Sequence, residues 1–462
     1  MLILLLFCGL GSVLSNYTPD WKSLDSRPLP SWYDDSKLGI FVHWGVFSVP
    51  AFKSEWIWWF WKQGYSDVVN FMNKNFPGQS YADLGSKFTA ADFNADSFLS
   101  IVKSSGAKYI VVTTKHHEGY TLWPSETSFN WNSVDLGPHR DLVREFRDST
   151  LKQGLHFGTY FSQFDWFHPL YLKDNANKTR EYPEKVSLVQ MRELINNYKP
   201  EVLWSDGDWE KSDDYWGAKE FLAWVFNDSP VKESIVVNDR WGKGIPYNHG
   251  SFITGNDGYM PGKLLTKKWE CCSSLIRGSF GYRRNLRSGD VETSKETIDK
   301  FVKILAWGGN LLLNIGPDQY GNIPAILEER LQEVGAFVNA NSEAIYGSKP
   351  WIYQNDTEKI WYTSKLTTKV KGFDHFNPQI EGNTIIYAFL LDWDKEVQLK
   401  SVKSAQNIKV TLLGTGIALN STVKEGVLTV TLPPEKKFPH RDAIVLKIEN
   451  AANDAFHPQL MD

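Results

Sequence analysis

Short apolar runs alternate with amphipathic segments through most of the chain, and this rhythm restricts the possible folds more than any other feature. LGIFVHW (38–44), KYIVVTT (108–114), LHFGTYF (155–161), EVLWSD (201–206), SIVVND (234–239) and NLLLNIG (310–316) read as strands. Between them, Phe98, Ile101 and Val102 precede Gly106, and Leu142, Val143 and Phe146 precede Gly154. Leu188, Met191, Ile195 and Tyr198 precede Pro200, and Ile298, Phe301 and Leu305 precede Gly308. Apolar residues three or four apart that stop at Gly or Pro mark amphipathic helices. Strand then helix, repeated this often, calls for parallel strands, and a closed (β/α)8-like, TIM-type barrel is the economical arrangement. Such barrels carry their chemistry at the C-terminal ends of the strands. Polar residues gather where those ends fall: His43, His116 with His117 and Glu118, Tyr160, Asp206 with Asp208, and Asn238, Asp239 and Arg240.

Past Lys349 and Pro350 the helices stop. TIIYAFLL (384–391), GVLTVTLP (426–433) and DAIVLKIE (442–449) are strand-like and separated by turn residues, which predicts a C-terminal antiparallel β-sandwich. The expected division is a signal peptide at 1–15, the barrel at 16–349 and the sandwich at 350–462. A chain of 462 residues suits a large barrel with a smaller companion. Its net charge of -4 is spread along the chain and leaves no basic stripe for phosphates, so nucleic acid is not an expected partner. The 20 tryptophans are the unusual count, because indoles serve as flat apolar surfaces for ligands.

The uncharged stretch MLILLLFCGLGSVLS has the length and the ending of a cleaved secretory signal. It is shorter than the roughly 20 residues of a membrane span, and no later segment does better, so no membrane association is expected. Sequons at Asn16, Asn177, Asn227, Asn355 and Asn420 fit a secretory route to the lysosome or the extracellular fluid, although Pro230 disfavours the Asn227 site. Once the signal and its Cys8 are removed, Cys271 and Cys272 remain. A disulfide between neighbours demands strained geometry, so two buried thiols are expected. Neither these nor His116 and His117 have metal-site spacing, and no metal or cofactor is expected.

VHWGVFSVPAF with Glu55 downstream, TTKHHEGYTLWPS, LWSDGDWE, VVNDRWG, and Pro261 to Cys272 (P-x-x-L-x-x-x-K-W-E-x-C) followed by FGYRRN together resemble the α-L-fucosidases of glycoside hydrolase family 29, in particular the animal tissue type. The resemblance runs in order from about Trp21 past Trp351. It implies a retaining hydrolase that releases terminal α-L-fucose from glycans through a covalent glycosyl-enzyme intermediate. That chemistry needs two carboxyl groups about 5–5.5 Å apart, one as nucleophile and one as proton shuttle. The motif makes Asp206 the nucleophile. The shuttle is open between Asp257, in the Gly-rich loop GNDGYMPG, and Glu270 of the K-W-E motif. A shuttle must meet the leaving group and exchange with water, which favours the loop residue. Glu270 is close in sequence to Arg283 and Arg284 and suits either an ion pair with them or the role of positioning its neighbours. The resemblance also implies sugar contacts from His43, Glu55, His116, His117, Tyr160, Trp204 and Arg240. An aromatic wall against the C6 methyl would come from Trp204, Trp269 and one of the aromatics between Trp56 and Trp61, although EWIWWFW also suits core packing or a homo-oligomer contact. Asp208 and Glu210 match no catalytic position and read as a solvated or salt-bridged loop. Two other readings stay open: a fucose-binding protein without turnover, and a retaining glycosidase with another sugar specificity.

Overall fold

The computed structural model describes residues 16–461, so the proposed signal at 1–15 lies outside the described residues. Seven parallel strands form the larger sheet: β1 (Leu38–Val42), β2 (Tyr109–Lys115), β3 (His156–Ser162), β4 (Val202–Asp206), β5 (Val236–Val237), β6 (Glu270–Ser274) and β7 (Asn310–Ile315). Their spatial order is β5-β4-β3-β2-β1-β7-β6. The expected eighth strand is absent as a regular element among the described residues. An irregular segment takes its place: Ser251 N donates to Val237 O (2.9 Å), Ile253 N to Lys268 O (2.8 Å) and Glu270 N to Ile253 O (2.8 Å). These bonds bridge β5 to β6. The run 234–239 supplies a strand of two residues only, and β6 was not expected. ECCSS carries no aliphatic run, so only its pairing with β7 makes it a strand.

The helices fall where the periodicity places them, at Ala95–Ser104, Leu142–Lys152, Leu188–Tyr198 and Ser294–Ala306. Side chains cap three of their N-termini: Asn94 accepts from Ser97 N, Asp141 from Arg144 N, and Thr293 forms a capping box with Glu296. Alternation along each strand sorts side chains into two layers. Leu38, Ile40, Val42, Ile110, Val112, Leu203, Cys271, Leu311 and Leu313 join the large core under the helices. Phe41, Tyr109, Val111, Tyr160, Val202, Trp204, Cys272 and Leu312 form a separate inner core. Gly39 belongs to the inner layer, where a methyl group would overlap the Tyr109 ring. Cys271 and Cys272 are free and buried.

From Lys349 the chain forms antiparallel sheets of six and three strands around their own apolar core, including Trp351, Tyr362, Leu399, Val430 and Leu446. Tyr387 OH donates to Glu343 Oε1 (2.9 Å), and Trp307 packs edge-on against Trp361, so this unit sits on the last helices of the barrel. No described helix is long and apolar enough to cross a membrane.

Candidate active site

A cavity of about 220 Å3 opens at the C-terminal ends of the strands. That is below the range of roughly 300–1,000 Å3 that holds drug-sized ligands, and it suits one monosaccharide unit. On β4, residues 202, 204 and 206 share the inner face, which lifts Asp206 to the cavity floor directly above Trp204. Asp206 is 8% exposed. Its Oδ1 accepts from Arg240 Nη1 (3.0 Å) and its Oδ2 from Tyr160 OH (2.8 Å), and His117 Nε2 lies 3.6 Å from Oδ2. Burial, followed by the charge of Asp206, pushes the Tyr160 phenol well above its usual range, so Tyr160 remains a donor.

Arg240 ties the two halves of the site together. Its Nη2 donates to Asp257 Oδ1 (2.7 Å) while Nη1 holds Asp206, and its guanidinium stacks 4.6 Å over the Trp204 ring. Burial disfavours its charge, but Asp257 and Asp206 more than offset this. The Asp257 side chain is 55% exposed, in contrast to 11% for Asp206. Its loop is anchored by Asp239, which accepts from Thr254 N (2.9 Å), Gly255 N (3.1 Å) and Tyr247 N (2.8 Å). Asn238 pairs with both backbone groups of Ser205. These two strand-end residues therefore hold backbone rather than facing the cavity.

Lys115 ends β2, so His116 and His117 lie in a loop and both line the cavity. Gly119 allows the turn, with φ of 80°. The network assigns two tautomers. Ser162 gives its hydroxyl proton to Phe164 O (2.7 Å) and so accepts from His117 Nδ1–H (2.7 Å). Asn314 Nδ2 donates to Ser274 Oγ and Phe280 O, so its Oδ1 accepts from His43 Nδ1–H (2.7 Å). Burial and then neighbouring charge, that of His116 first, hold both His43 and His117 well below the normal imidazole range. Their Nε2 lone pairs remain as acceptors. Glu55 is 8% exposed, and its Oε2 accepts from Phe280 N (2.9 Å) and Gly281 N (2.9 Å). Trp56 and Trp209 stack at the mouth, 6.0 Å apart with planes 12° from parallel.

His43, Glu55, His116, His117, Tyr160, Trp204, Asp206, Arg240 and Asp257 thus line one cavity. Two sequence candidates do not. On β6 the alternation points residue 270 inwards and residue 269 outwards, so Trp269 donates to Trp307 O (3.0 Å) away from the cavity and forms no part of its aromatic wall. Glu270 faces the barrel interior but one layer below the cavity and is fully buried. It accepts from Tyr109 OH (2.6 Å), Tyr33 OH (2.7 Å) and Trp204 Nε1 (3.0 Å). It makes no ion pair with Arg283 or Arg284: Arg283 approaches Asp290 (3.9 Å), and Arg284 donates to Val49 O (2.7 Å). Asp208 is not solvated as expected. It is 3% exposed and accepts from Gly242 N (3.1 Å), and burial followed by the charge of Asp206 raises it to about 6. Glu210 is at the surface, where it accepts from Tyr171 OH (2.6 Å).

Phe41, Trp209, Cys272 and Phe280 also line the cavity, and the sequence assigned none of them to the site. Phe41 and Cys272 were legible as inner-face residues two positions from His43 and Glu270. In EWIWWFW, Trp58 stacks on Tyr81 and Trp59 meets Trp56 edge-on, so these two rings pack within the chain. Among the sequons, Asn16, Asn177, Asn355 and Asn420 are exposed. Asn227 is occupied: its amide accepts from Tyr17 N (2.9 Å) and donates to Tyr17 O (2.8 Å). Among the described residues no group of three or more His, Cys, Asp or Glu is arranged to hold a metal.

Comparison with known proteins gives the family. Residues 7–343 match the family model described as alpha-L-fucosidase, and residues 354–449 match that of the alpha-L-fucosidase C-terminal domain. A putative alpha-L-fucosidase of Caenorhabditis elegans is 54% identical over 99% of this chain and 98% of its own length. The tissue alpha-L-fucosidase of Homo sapiens is 43% identical over 97% of this chain and 96% of its own. The crystal structure of Thermotoga maritima alpha-fucosidase with a mechanism-based inhibitor superposes with a TM-score of 0.78 at 29% identity, covering 94% of this chain and 99% of that one. With both family models matched in order and the relatives aligned nearly end to end, the chain belongs to the α-L-fucosidase family.

Proposed function

We propose that this α-L-fucosidase works by double displacement, with Asp206 as nucleophile and Asp257 as acid and base. In the first step an Asp206 oxygen bonds to the anomeric carbon as the glycosidic C–O bond breaks, and Asp257 gives its proton to the departing oxygen. In the second step Asp257 takes a proton from water, which attacks the same carbon and restores the Asp206 carboxylate. The observation that carries this reading is the guanidinium of Arg240 held between a buried and an exposed carboxylate, Asp206 at 3.0 Å and Asp257 at 2.7 Å. Different surroundings divide two like groups between two tasks. The buried one is aimed by Tyr160 and Arg240. The exposed one can swing from Arg240 to the leaving group and exchange protons with solvent. Glu270, sealed beneath Trp204 by three hydrogen bonds, supports the floor.

Within the cavity, His43 and His117 accept from sugar hydroxyls through Nε2, Glu55 holds hydroxyls, and the rings of Phe41, Trp204 and Phe280 face the C6 methyl. Substrates are fucosylated glycans of glycoproteins, glycolipids or free oligosaccharides. The enzyme travels the secretory route to the lysosome or extracellular fluid, with Asn16, Asn177, Asn355 and Asn420 as its glycosylation sites. The relatives described as tissue and plasma enzymes support this route. Trapping with 2-deoxy-2-fluoro-α-L-fucosyl fluoride followed by peptide mapping tests the assignment. The label is expected on Asp206; a label elsewhere overturns it.

A further inference from the structure

Three imidazoles share one wall of the cavity. His116 lies with its ring centroid 5.7 Å from His43 and 4.1 Å from His117. At such distances like charges oppose one another, and the cavity admits one imidazolium more readily than two. His43 and His117 each rest Nδ1–H on a neutral acceptor, Asn314 and Ser162. His116 differs: its Nδ1 faces Glu118 Oε2 at 3.4 Å. The contact is an ion-pair distance rather than an aligned hydrogen bond, and among the described residues neither atom has a hydrogen-bond partner. Glu118 is 2% exposed, and a carboxylate buried to that degree requires a cation or donors.

The other charges around this contact do not satisfy Glu118. Lys115 donates to Tyr182 OH (3.2 Å) and stacks over the Phe161 ring, and among the described residues it makes no ion pair with Glu118. Burial pushes the Lys115 ammonium down and the Asp165 carboxyl up; the charge that supports Lys115 comes first from Asp165 and only then from Glu118, so Lys115 is shared and does not contact Glu118 directly. Burial, with Glu118 adding to it, keeps the Tyr81 phenol neutral. Tyr160 stacks on His116, while Asp206 and Arg240 are paired with each other beyond His117.

We propose that Glu118 is a positioning residue that makes His116, rather than His43 or His117, the imidazolium of the sugar cavity. His116 Nε2 then donates to a substrate hydroxyl, while the other two imidazoles accept. This rests on the reading that the cavity holds a fucosyl unit. It extends that reading by giving the site one fixed cationic donor selected by a residue outside the cavity lining.

The test uses 4-nitrophenyl α-L-fucoside turnover and L-fucose inhibition from pH 4 to 8. Glu118→Gln removes the counter-charge and keeps the shape. It is expected to weaken fucose binding about tenfold near neutral pH with a smaller change in kcat, and to move the alkaline limb of the affinity down by about one pH unit. Glu118→Asp retains the charge and is expected to keep that limb near its wild-type position. A uniform loss of kcat at every pH with an unmoved limb, as a purely structural residue would give, overturns the proposal. Should the Gln variant not fold, His116→Gln decides: the limb is expected to vanish, and a limb that survives overturns the proposal. Wild-type enzyme without fucoside turnover would instead count against the functional reading itself.

Discussion

Replacing Asp257 and Glu270 separately distinguishes the two proton-shuttle candidates, because the structure assigns them different costs. Glu270 is fully buried and accepts three hydrogen bonds, at 2.6, 2.7 and 3.0 Å. Glu270→Ala strands two phenols and an indole N–H, each costing about 1–3 kcal/mol, so a loss of stability of at least about 3 kcal/mol is expected. Glu270→Gln keeps the volume and an acceptor for Trp204, and the phenols can accept from its amide. Turnover is therefore expected to stay within about tenfold of wild type for activated and unactivated leaving groups alike. Asp257→Ala removes a half-exposed side chain with little packing and leaves Arg240 its bond to Asp206, so the stability loss should stay below that of Glu270→Ala while general acid catalysis is lost. That loss is about 100- to 10,000-fold, or roughly 3–5 kcal/mol, for a sugar leaving group, and far less for 2,4-dinitrophenyl fucoside, which departs without protonation. The assay is kcat/KM across a series of aryl and sugar fucosides, with denaturant melts alongside. Azide should restore turnover of Asp257→Ala and yield α-L-fucosyl azide. A steep leaving-group dependence in Glu270→Gln, together with a flat one in Asp257→Ala, would refute the assignment and the argument from burial behind it.

Two further outcomes follow from the loops around Asp206. The folded-state value of Asp208 is raised from 3.8 to about 6, so the native protein binds this proton more tightly than the unfolded chain does. The group therefore costs little at pH 4, and its cost accrues between about pH 4 and 6 to a level of about 3 kcal/mol. Asp208→Asn should be more stable than the parent at pH 7.5 and equal to it at pH 4 in paired denaturant melts; the same difference at both values would contradict the sign. Gly119 has φ of 80°, and a methyl group there would overlap the Asp165 carboxylate. Gly119→Ala should lower stability by about 1–3 kcal/mol and displace the His116–His117 loop, read as a rise in KM for the aryl fucoside; an unchanged KM would show that the loop does not depend on this turn.

Periodicity alone determined the parallel strands β1, β2, β3, β4 and β7, four of the helices that cover them and the change to antiparallel sheets after Lys349, because each register of apolar residues serves one kind of burial. The strand-end motifs likewise marked where the polar groups gather. Pairing and depth were decided only in three dimensions. The two-residue β5 and the strand Glu270–Ser274 exist through backbone bonds to distant partners, and the gap between them is closed by an irregular segment without a strand-like pattern. Trp269, Glu270 and Asp257 lie within thirteen positions of one another in the chain. One packs outwards, one lies sealed beneath the sugar cavity, and one reaches solvent at its mouth. Alternation along a strand and distance from its end set which carboxyl meets substrate, and neither can be read until the strand has neighbours.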